Sequence, residues 1–220
     1  MDEIILVDKP ASITSFGVVA RIRRTLSQQA GHKIKTGHAG TLDPFATGLL
    51  ILGAGKGTKR LSEFLKLDKV YEATLHLGAT STTGDPEGEI ITTQNSNIQV
   101  PTLYKIKETA GSFLGKITQT PPIYSAIKIH GQPAYKLARK GQNPEIPPRE
   151  VQIYSIEILD YSYPTLRIRT HVSSGTYIRT LAQDIGTKLG TGAYLTALRR
   201  TKIGDYDIKF AKTLAELMKI

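Results

Sequence analysis

The chain has no cysteine, which excludes a disulfide framework and thiolate metal sites and suits a reducing, cytoplasmic setting. It lacks any stretch approaching the roughly 18 apolar residues of a membrane-spanning helix. Its opening, Met1-Asp2-Glu3-Ile4-Ile5-Leu6-Val7-Asp8, is acidic with only a short apolar run, so no secretory leader is expected. The histidines (His32, His38, His76, His130 and His171) show no close ligand spacing such as H-x-x-x-H, and no metal is expected. Acids are scarce where it matters most: between Asp8 and Glu63 there is only Asp43.

Positive charge is plentiful. Lysine and arginine total 29 against 19 acids, a formal charge of +10. The cations are grouped rather than spread: Arg21 to Arg60 around Asp43, Lys116 to Arg149 with Glu145 as sole acid, and Arg167 to Lys202 with Asp184 as sole acid. Such grouping points to a polyanionic partner. No basic amphipathic helix with aromatics along one face is visible, which places nucleic acid ahead of a membrane surface.

At 220 residues the chain suits one good-sized domain, and no repeat, linker or boundary stands out. Glu3–Asp8 reads as a buried strand, and Val18-Val19-Ile22-Leu26 has helical spacing after N-cap chemistry in Ser12–Ser15. Ala46–Gly53 is an apolar run, followed by a helix expected over Gly57–Lys66. Val70–Gly78 alternates as a half-buried strand. Further expectations are a strand over Glu89–Thr93, a helix over Thr102–Ala110, strands over Val151–Leu159 and Thr165–Val172, and a helix over Tyr177–Leu189 ended by glycine. A strand around Gly204–Phe210 and a helix over Leu214–Met218 close the chain. Thr120–Arg149, rich in proline and lysine with Tyr124 and Tyr135 interleaved, is too long for an ordinary connection and reads as functional. Helices and strands mix without a regular βαβ rhythm, so the class expected is α+β with a largely antiparallel sheet.

Asp43 lies in Gly37-His38-Ala39-Gly40-Thr41-Leu42-Asp43-Pro44-Phe45-Ala46-Thr47-Gly48-Leu49-Leu50. Surrounding cations are expected to depress its pKa. A surface that only gripped phosphate would gain nothing from this charge, so chemistry on a nucleic acid is one reading; a plain Asp-Pro turn is the other. Arg179 falls in the first turn of its helix, where the helix dipole disfavours it. Its planar fork suits a carboxylate, Asp43 or Asp184, or else a phosphate. Tyr71 is either a core tyrosine or a stacking face for a splayed base, and His38 either a loop histidine or an aid to such stacking. Gly53-Ala54-Gly55-Lys56-Gly57-Thr58 is superficially like a phosphate loop but lacks the G-x-x-x-x-G-K-[ST] spacing. It suits a turn, or backbone amides and Lys56 against an RNA phosphate.

The Gly37–Leu50 stretch resembles the catalytic motif of the TruB family of pseudouridine synthases, and the resemblance runs nearly end to end. It includes Val7-Asp8-Lys9-Pro10, Lys69-Val70-Tyr71-Glu72-Ala73, Thr83-Gly84-Asp85-Pro86-Glu87-Gly88 and Gln119-Thr120-Pro121-Pro122-Ile123-Tyr124-Ser125-Ala126-Ile127-Lys128. Tyr135–Gly141, Ser174-Gly175-Thr176-Tyr177-Ile178-Arg179 and Leu198-Arg199-Arg200 complete it. The resemblance implies isomerisation of uridine 55 in the T arm of tRNA to pseudouridine by a single catalytic domain, monomeric and without cofactor or metal. It implies a central RNA-binding cleft and a thumb-like insertion at about 120–149. By the same resemblance Asp43 is the catalytic carboxylate, Arg179 its arginine partner and Tyr71 the tyrosine stacked on the base. The substrate- and RNA-binding set it implies is Lys9, His38, Asp85, Lys128, Tyr177, Leu198 and Arg200. Two departures stand out: Thr82 replaces the family's usual aspartate, and the C-terminal PUA-type domain of many relatives is not expected here.

Overall fold

The computed structural model describes residues 2–92, 99–125, 127–129, 131–142 and 144–219. Thr93 of the strand expected over Glu89–Thr93, Ala126 of the Gln119–Lys128 motif and His130 lie outside the described residues. In chain order the elements are β1 (Glu3–Lys9), α1 (Ser15–Ala30), β2 (Thr36–Ala39), β3 (Thr47–Ala54), α2 (Leu61–Leu65), β4 (Lys69–Leu77), β5 (Ala79–Ser81) and β6 (Ile90–Thr92). There follow α3 (Leu103–Gly111), β7 (Gly115–Gln119), β8 (Lys128–Ile129), β9 (Gln132–Pro133), α4 (Ala134–Ala138), β10 (Arg149–Ser162) and β11 (Thr165–Val172). The last are α5 (Ile178–Leu189), β12 (Ala193–Ile203), β13 (Tyr206–Asp207), β14 (Lys212–Thr213) and α6 (Leu214–Met218). The class is α+β, with mainly antiparallel pairing and helices on the sheet faces.

The chain forms two compact units, Met1–Glu72 with Leu198–Ile220, and Ala73–Ala197; β4 and β12 each give residues to both. In the first, β3 is the spine. It pairs antiparallel with β1 from Glu3–Ala54 to Lys9–Gly48, antiparallel with β2, and parallel with β12 at Thr47–Arg199 and Gly48–Arg200. Leu50 and Leu52 pack with Val18, Val19 and Ile22 of α1, while Leu49 and Ile51 pack with Phe64 of α2 and Ile203. Burial on both faces explains why β3 is continuously apolar instead of alternating. Each such side chain contributes about 1.5–3 kcal/mol. Thr14 caps α1, its hydroxyl accepting the Gly17 N–H, and Gly31 ends it in the left-handed region at φ 69°.

In the second unit β10 is the centre, antiparallel to β7 from Arg149–Gln119 to Ile153–Gly115 and to β11 from Ile153–Val172 to Ser162–Thr165. Helix α5 runs from Tyr177, its N-cap, to Gly190 at φ 74°.

Two expectations are corrected. The helix over Gly57–Lys66 is a 3-10 turn, Gly55–Arg60, followed by the short α2. A Cβ on Gly57 would lie 2.3 Å from the Glu3 carbonyl oxygen and one on Gly53 2.7 Å from that of Gly57, so these glycines serve close backbone packing. The Lys56 N–H donates to Asp2 Oδ1 at 2.8 Å. The strand around Gly204–Phe210 is only β13 plus a 3-10 turn over Ile208–Phe210; the long strand there is β12, before it.

Candidate active site

The first unit presents Asp43 on the loop between β2 and β3, and it grips that loop through its backbone. Lys9, at the end of β1, is fully buried, and its ammonium donates to the carbonyls of Pro10 (2.9 Å), Ile13 (2.7 Å) and Pro44 (3.2 Å). The Ser12 N–H adds a second bond to Pro44, at 2.9 Å. The buried Ser15 hydroxyl accepts the Leu42 N–H at 2.8 Å and donates to the Leu42 carbonyl at 3.0 Å. Arg200, also buried, donates from Nε to the Leu49 carbonyl (2.8 Å) and from Nη2 to that of Gly40 (3.1 Å). The residues on both sides of Asp43 are thus fixed by charged or hydroxyl donors, each charge-assisted bond being worth about 1.5–3 kcal/mol. Asp43 itself stays half-buried. The close approach of Arg200 requires Gly48: its φ is +105°, and a Cβ would lie 2.3 Å from the Arg200 carbonyl oxygen.

His38, on β2, is half-buried; its Nδ1 is buried and has no hydrogen-bond partner among the described residues. Burial first, and then the Arg200 charge, hold its pKa below the ordinary histidine value, which favours the neutral ring. Tyr71 lies on the buried face of β4, as its alternation predicts, only 8% exposed. Lys69, two residues before it on the same face, is buried as well. Its ammonium donates to the carbonyls of Leu65 (2.8 Å) and Leu67. Burial, and next the Arg200 charge, push its pKa down to about 8, with Asp68 pulling the other way. Leu198 is buried at the start of the β12 segment belonging to this unit, and its neighbour Arg199 holds Asp8 through both nitrogens, at 2.7 and 3.1 Å.

The second unit centres on Arg179 and Asp85. Nη1 of Arg179 meets Asp85 Oδ2 at 3.1 Å, with both side chains about 5% exposed or less. The same nitrogen donates to the Thr83 carbonyl at 3.0 Å, and Nη2 donates to the Tyr124 carbonyl at 2.7 Å. Asp85 Oδ1 accepts the Thr83 hydroxyl (2.6 Å) and the Glu87 N–H (3.0 Å), and the Asp85 carbonyl accepts the Ser81 hydroxyl (2.6 Å). Asp85 is therefore an internal anchor for Arg179 rather than a surface group. Asp184, the other carboxylate considered for Arg179, has its pKa raised by burial. Thr82 faces solvent and closes the turn: its N–H donates to the Glu89 carbonyl and its hydroxyl accepts the Glu89 N–H, each at 3.0 Å. A carboxylate there could accept the same N–H, which gives the substitution a simple local account.

Gln119 lacked a role in the sequence reading. Its buried carboxamide meets the backbone of Tyr177, whose ring lies under the Arg149 guanidinium. Within 120–149 the chain forms the β8–β9 hairpin and α4, and Lys128, Lys136, Arg139 and Lys140 are all exposed. These cations fit the polyanionic partner inferred from charge.

Known proteins converge on one family. A family model described as "TruB family pseudouridylate synthase (N terminal domain)" matches residues 23–178, and one for the "tRNA pseudouridylate synthase B C-terminal domain" matches 179–220. The chain is 46% identical over 217 residues to tRNA pseudouridine synthase B of Dechloromonas aromatica, covering 99% of this chain and 70% of that one. It is 47% identical over 204 residues to the protein of the same name from Phocaeicola vulgatus, covering 92% and 86%. Among solved structures it is similar to a chain of a Cbf5-Nop10-Gar1 complex (TM-score 0.74, 30% identity, 98% of this chain and 53% of that chain). It is also similar to one in an H/ACA RNP bound to a substrate RNA containing 2'-deoxyuridine (0.71, 29%, 98% and 52%), so it spans about half the length of these two solved chains. Sequence motifs, α+β fold and family models agree: the chain belongs to the TruB family of pseudouridylate synthases.

Proposed function

We propose that this protein acts as a monomer on the T arm of tRNA and converts uridine 55 to pseudouridine, with Asp43 as the catalytic carboxylate. The reaction breaks N1–C1′, forms C5–C1′, removes the proton on C5 and leaves a proton on N1. Atoms and electrons balance within the nucleotide, and no cofactor is consumed. A carboxylate serves this chemistry either as nucleophile at C1′ or as base at C2′. The observation that carries the reading is the grip on the Asp43 loop. Lys9, Ser15 and Arg200 hold Gly40, Leu42, Pro44 and Leu49 by their backbones, so the half-buried Asp43 carboxylate sits on a loop whose position is already fixed.

In this reading Arg179 orients charge at the reacting group, Tyr71 stacks on the base and assists proton removal at C5, and neutral His38 helps extrude the nucleotide. Lys9 and Arg200 serve by holding the loop, while Leu198 and Tyr177 contact the base. Lys128 and its neighbours meet phosphates. Flipping the uridine costs about a few kcal/mol, which phosphate contacts offset.

The test is an incubation of the protein alone with unmodified tRNA transcript, with pseudouridine mapped by position. Product at uridine 55 with the wild type and none with Asp43→Asn supports the proposal. A second reading, modification directed by a guide RNA, draws on the likeness to the H/ACA particle structures. Product only when a guide RNA and companion proteins are added would favour it and overturn the first.

A further inference from the structure

We propose that Gln119 and Arg149 are positioning residues of the reaction, setting Tyr177 and the first turn of α5 that carries Arg179. The inference rests on the uridine-isomerising reading above. The two residues close the base of the 120–148 insertion: Gln119 ends β7, Arg149 begins β10, and they are directly opposed in the antiparallel ladder. From this shared rung both reach the same residue by different means.

Gln119 is 1% exposed. Its Oε1 accepts the Tyr177 N–H at 3.1 Å, and its Nε2 donates to the Tyr177 carbonyl at 3.3 Å. That carbonyl also accepts the Leu181 N–H at 3.1 Å, the first bond of α5. The clasp therefore sets the position of Tyr177 and the register of the helix start together. Tyr177 has extended backbone (φ −96°, ψ 113°) and makes no side-chain cap bond; the Gln119 carboxamide takes up the N-cap residue's own N–H, as the N3 side chain does in a capping box.

Arg149 takes the ring. Its guanidinium carbon lies 5.0 Å from the Tyr177 ring centroid, and Nη2 donates to the Gly175 carbonyl. Gly175, at φ +84°, leaves room for it, since a Cβ there would stand 3.1 Å from Nη2. A planar cation is thereby held between the turn and the aromatic face, an arrangement lysine cannot copy. The insertion is joined to the same helical turn twice more: the Thr180 hydroxyl reaches the Thr120 carbonyl at 3.5 Å, and Arg179 Nη2 donates to the Tyr124 carbonyl at 2.7 Å. The seating of the insertion on its base is thus transmitted to Tyr177 and Arg179. Loss of the clasp loosens both, slowing the chemical step and leaving RNA affinity unchanged.

The test uses full-length Gln119→Ala, Gln119→Glu and Arg149→Ala, with Arg149→Ala repeated in a Tyr177→Ala background. Amide hydrogen exchange at Tyr177, tRNA affinity and the single-turnover rate of pseudouridine formation are measured for each. Gln119→Ala is expected to speed Tyr177 exchange and to slow the single-turnover rate by about ten- to a hundredfold. Its tRNA Kd is expected to stay within about twofold of the wild type. Gln119→Glu keeps the acceptor for the Tyr177 N–H but loses the donor, so it is expected to retain slow exchange and still lose rate, even where the alanine variant fails to fold. Arg149→Ala is expected to slow the wild type, and to add less once the Tyr177 ring is gone, when only the Gly175 bond is left to lose. Unchanged Tyr177 exchange in Gln119→Ala overturns the clasp, and unchanged rates, or losses confined to affinity, overturn the positioning role. An inactive wild type refutes the functional reading instead, while the exchange result still decides the clasp.

Discussion

Asp43 and Asp85 sit in turns of opposite design. The Asp43 loop is held by donors aimed at its backbone, and its carboxylate stays half-buried. In the Asp85 turn the carboxylate is itself the anchor, about 4% exposed and bound to Arg179, Thr83 and the Glu87 N–H. The difference shows two ways in which one chain fixes an aspartate-bearing turn, by donors to the backbone or by the carboxylate itself. Backbone donors fix the Asp43 loop whatever its side chain touches, which suits the reactive role proposed for that acid. An acid that must hold an arginine in the interior needs those lone pairs filled, since a buried charge is tolerated only when paired and hydrogen-bonded.

The contrast breaks most severely at Lys9. Lys9→Met removes the ammonium from the Pro10 and Ile13 carbonyls and leaves that of Pro44 with the Ser12 N–H. A loss of about 3–5 kcal/mol is expected in urea unfolding, together with loss of activity. Gly48→Ala attacks the same loop from the other side, placing a Cβ on the Arg200 backbone at a left-handed φ. The strain is expected to cost about 1–3 kcal/mol and to lower the rate by loosening Arg200.

Lys69 gives a smaller and pH-dependent effect. Its folded pKa is about 8 against an ordinary 10.5, so between those values the unfolded chain binds more protons. Stability from this group therefore rises with pH above about 8, with a slope of at most about 1.4 kcal/mol per pH unit. Melts of wild type and Lys69→Met from pH 7 to 10 check the sign: the rise is expected in the wild type and absent from the variant. The smallest effect belongs to Thr82→Asp. Because the hydroxyl faces solvent and only closes the turn, the change is expected to stay within about 0.5 kcal/mol in thermal melts, with an unaltered rate.

Local pattern revealed the elements whose chemistry is local. Thr14 with its helical run, the alternation that puts Tyr71 inside, and the glycine after α5 all behave as their spacing predicts. β12 was missed because its burial does not alternate and because it carries Arg199-Arg200, which reads as solvent-facing. Arg200 is buried only because distant carbonyls, those of Leu49 and Gly40, receive its guanidinium, and periodicity cannot reveal such partners. The same holds for the site. The lone acid among cations singled out Asp43, whereas Asp85 meets Arg179 across 94 positions of sequence. The roles of Gln119 and Lys69 as backbone clasps likewise exist only after folding, since an amide or ammonium carries no mark of the carbonyl it will meet.

The reactive role proposed for Asp43 and the anchoring role seen for Asp85 separate in one experiment. The most direct measurement compares Asp43→Asn and Asp85→Asn side by side, by urea unfolding and by single-turnover modification of tRNA. Asp43→Asn is expected to lose all measurable pseudouridine formation while remaining folded, with a smaller loss of stability than Asp85→Asn. Asp85→Asn is expected to lose about 3 kcal/mol along with its rate. An active Asp43→Asn, or an Asp85→Asn as stable as the wild type, would contradict these roles.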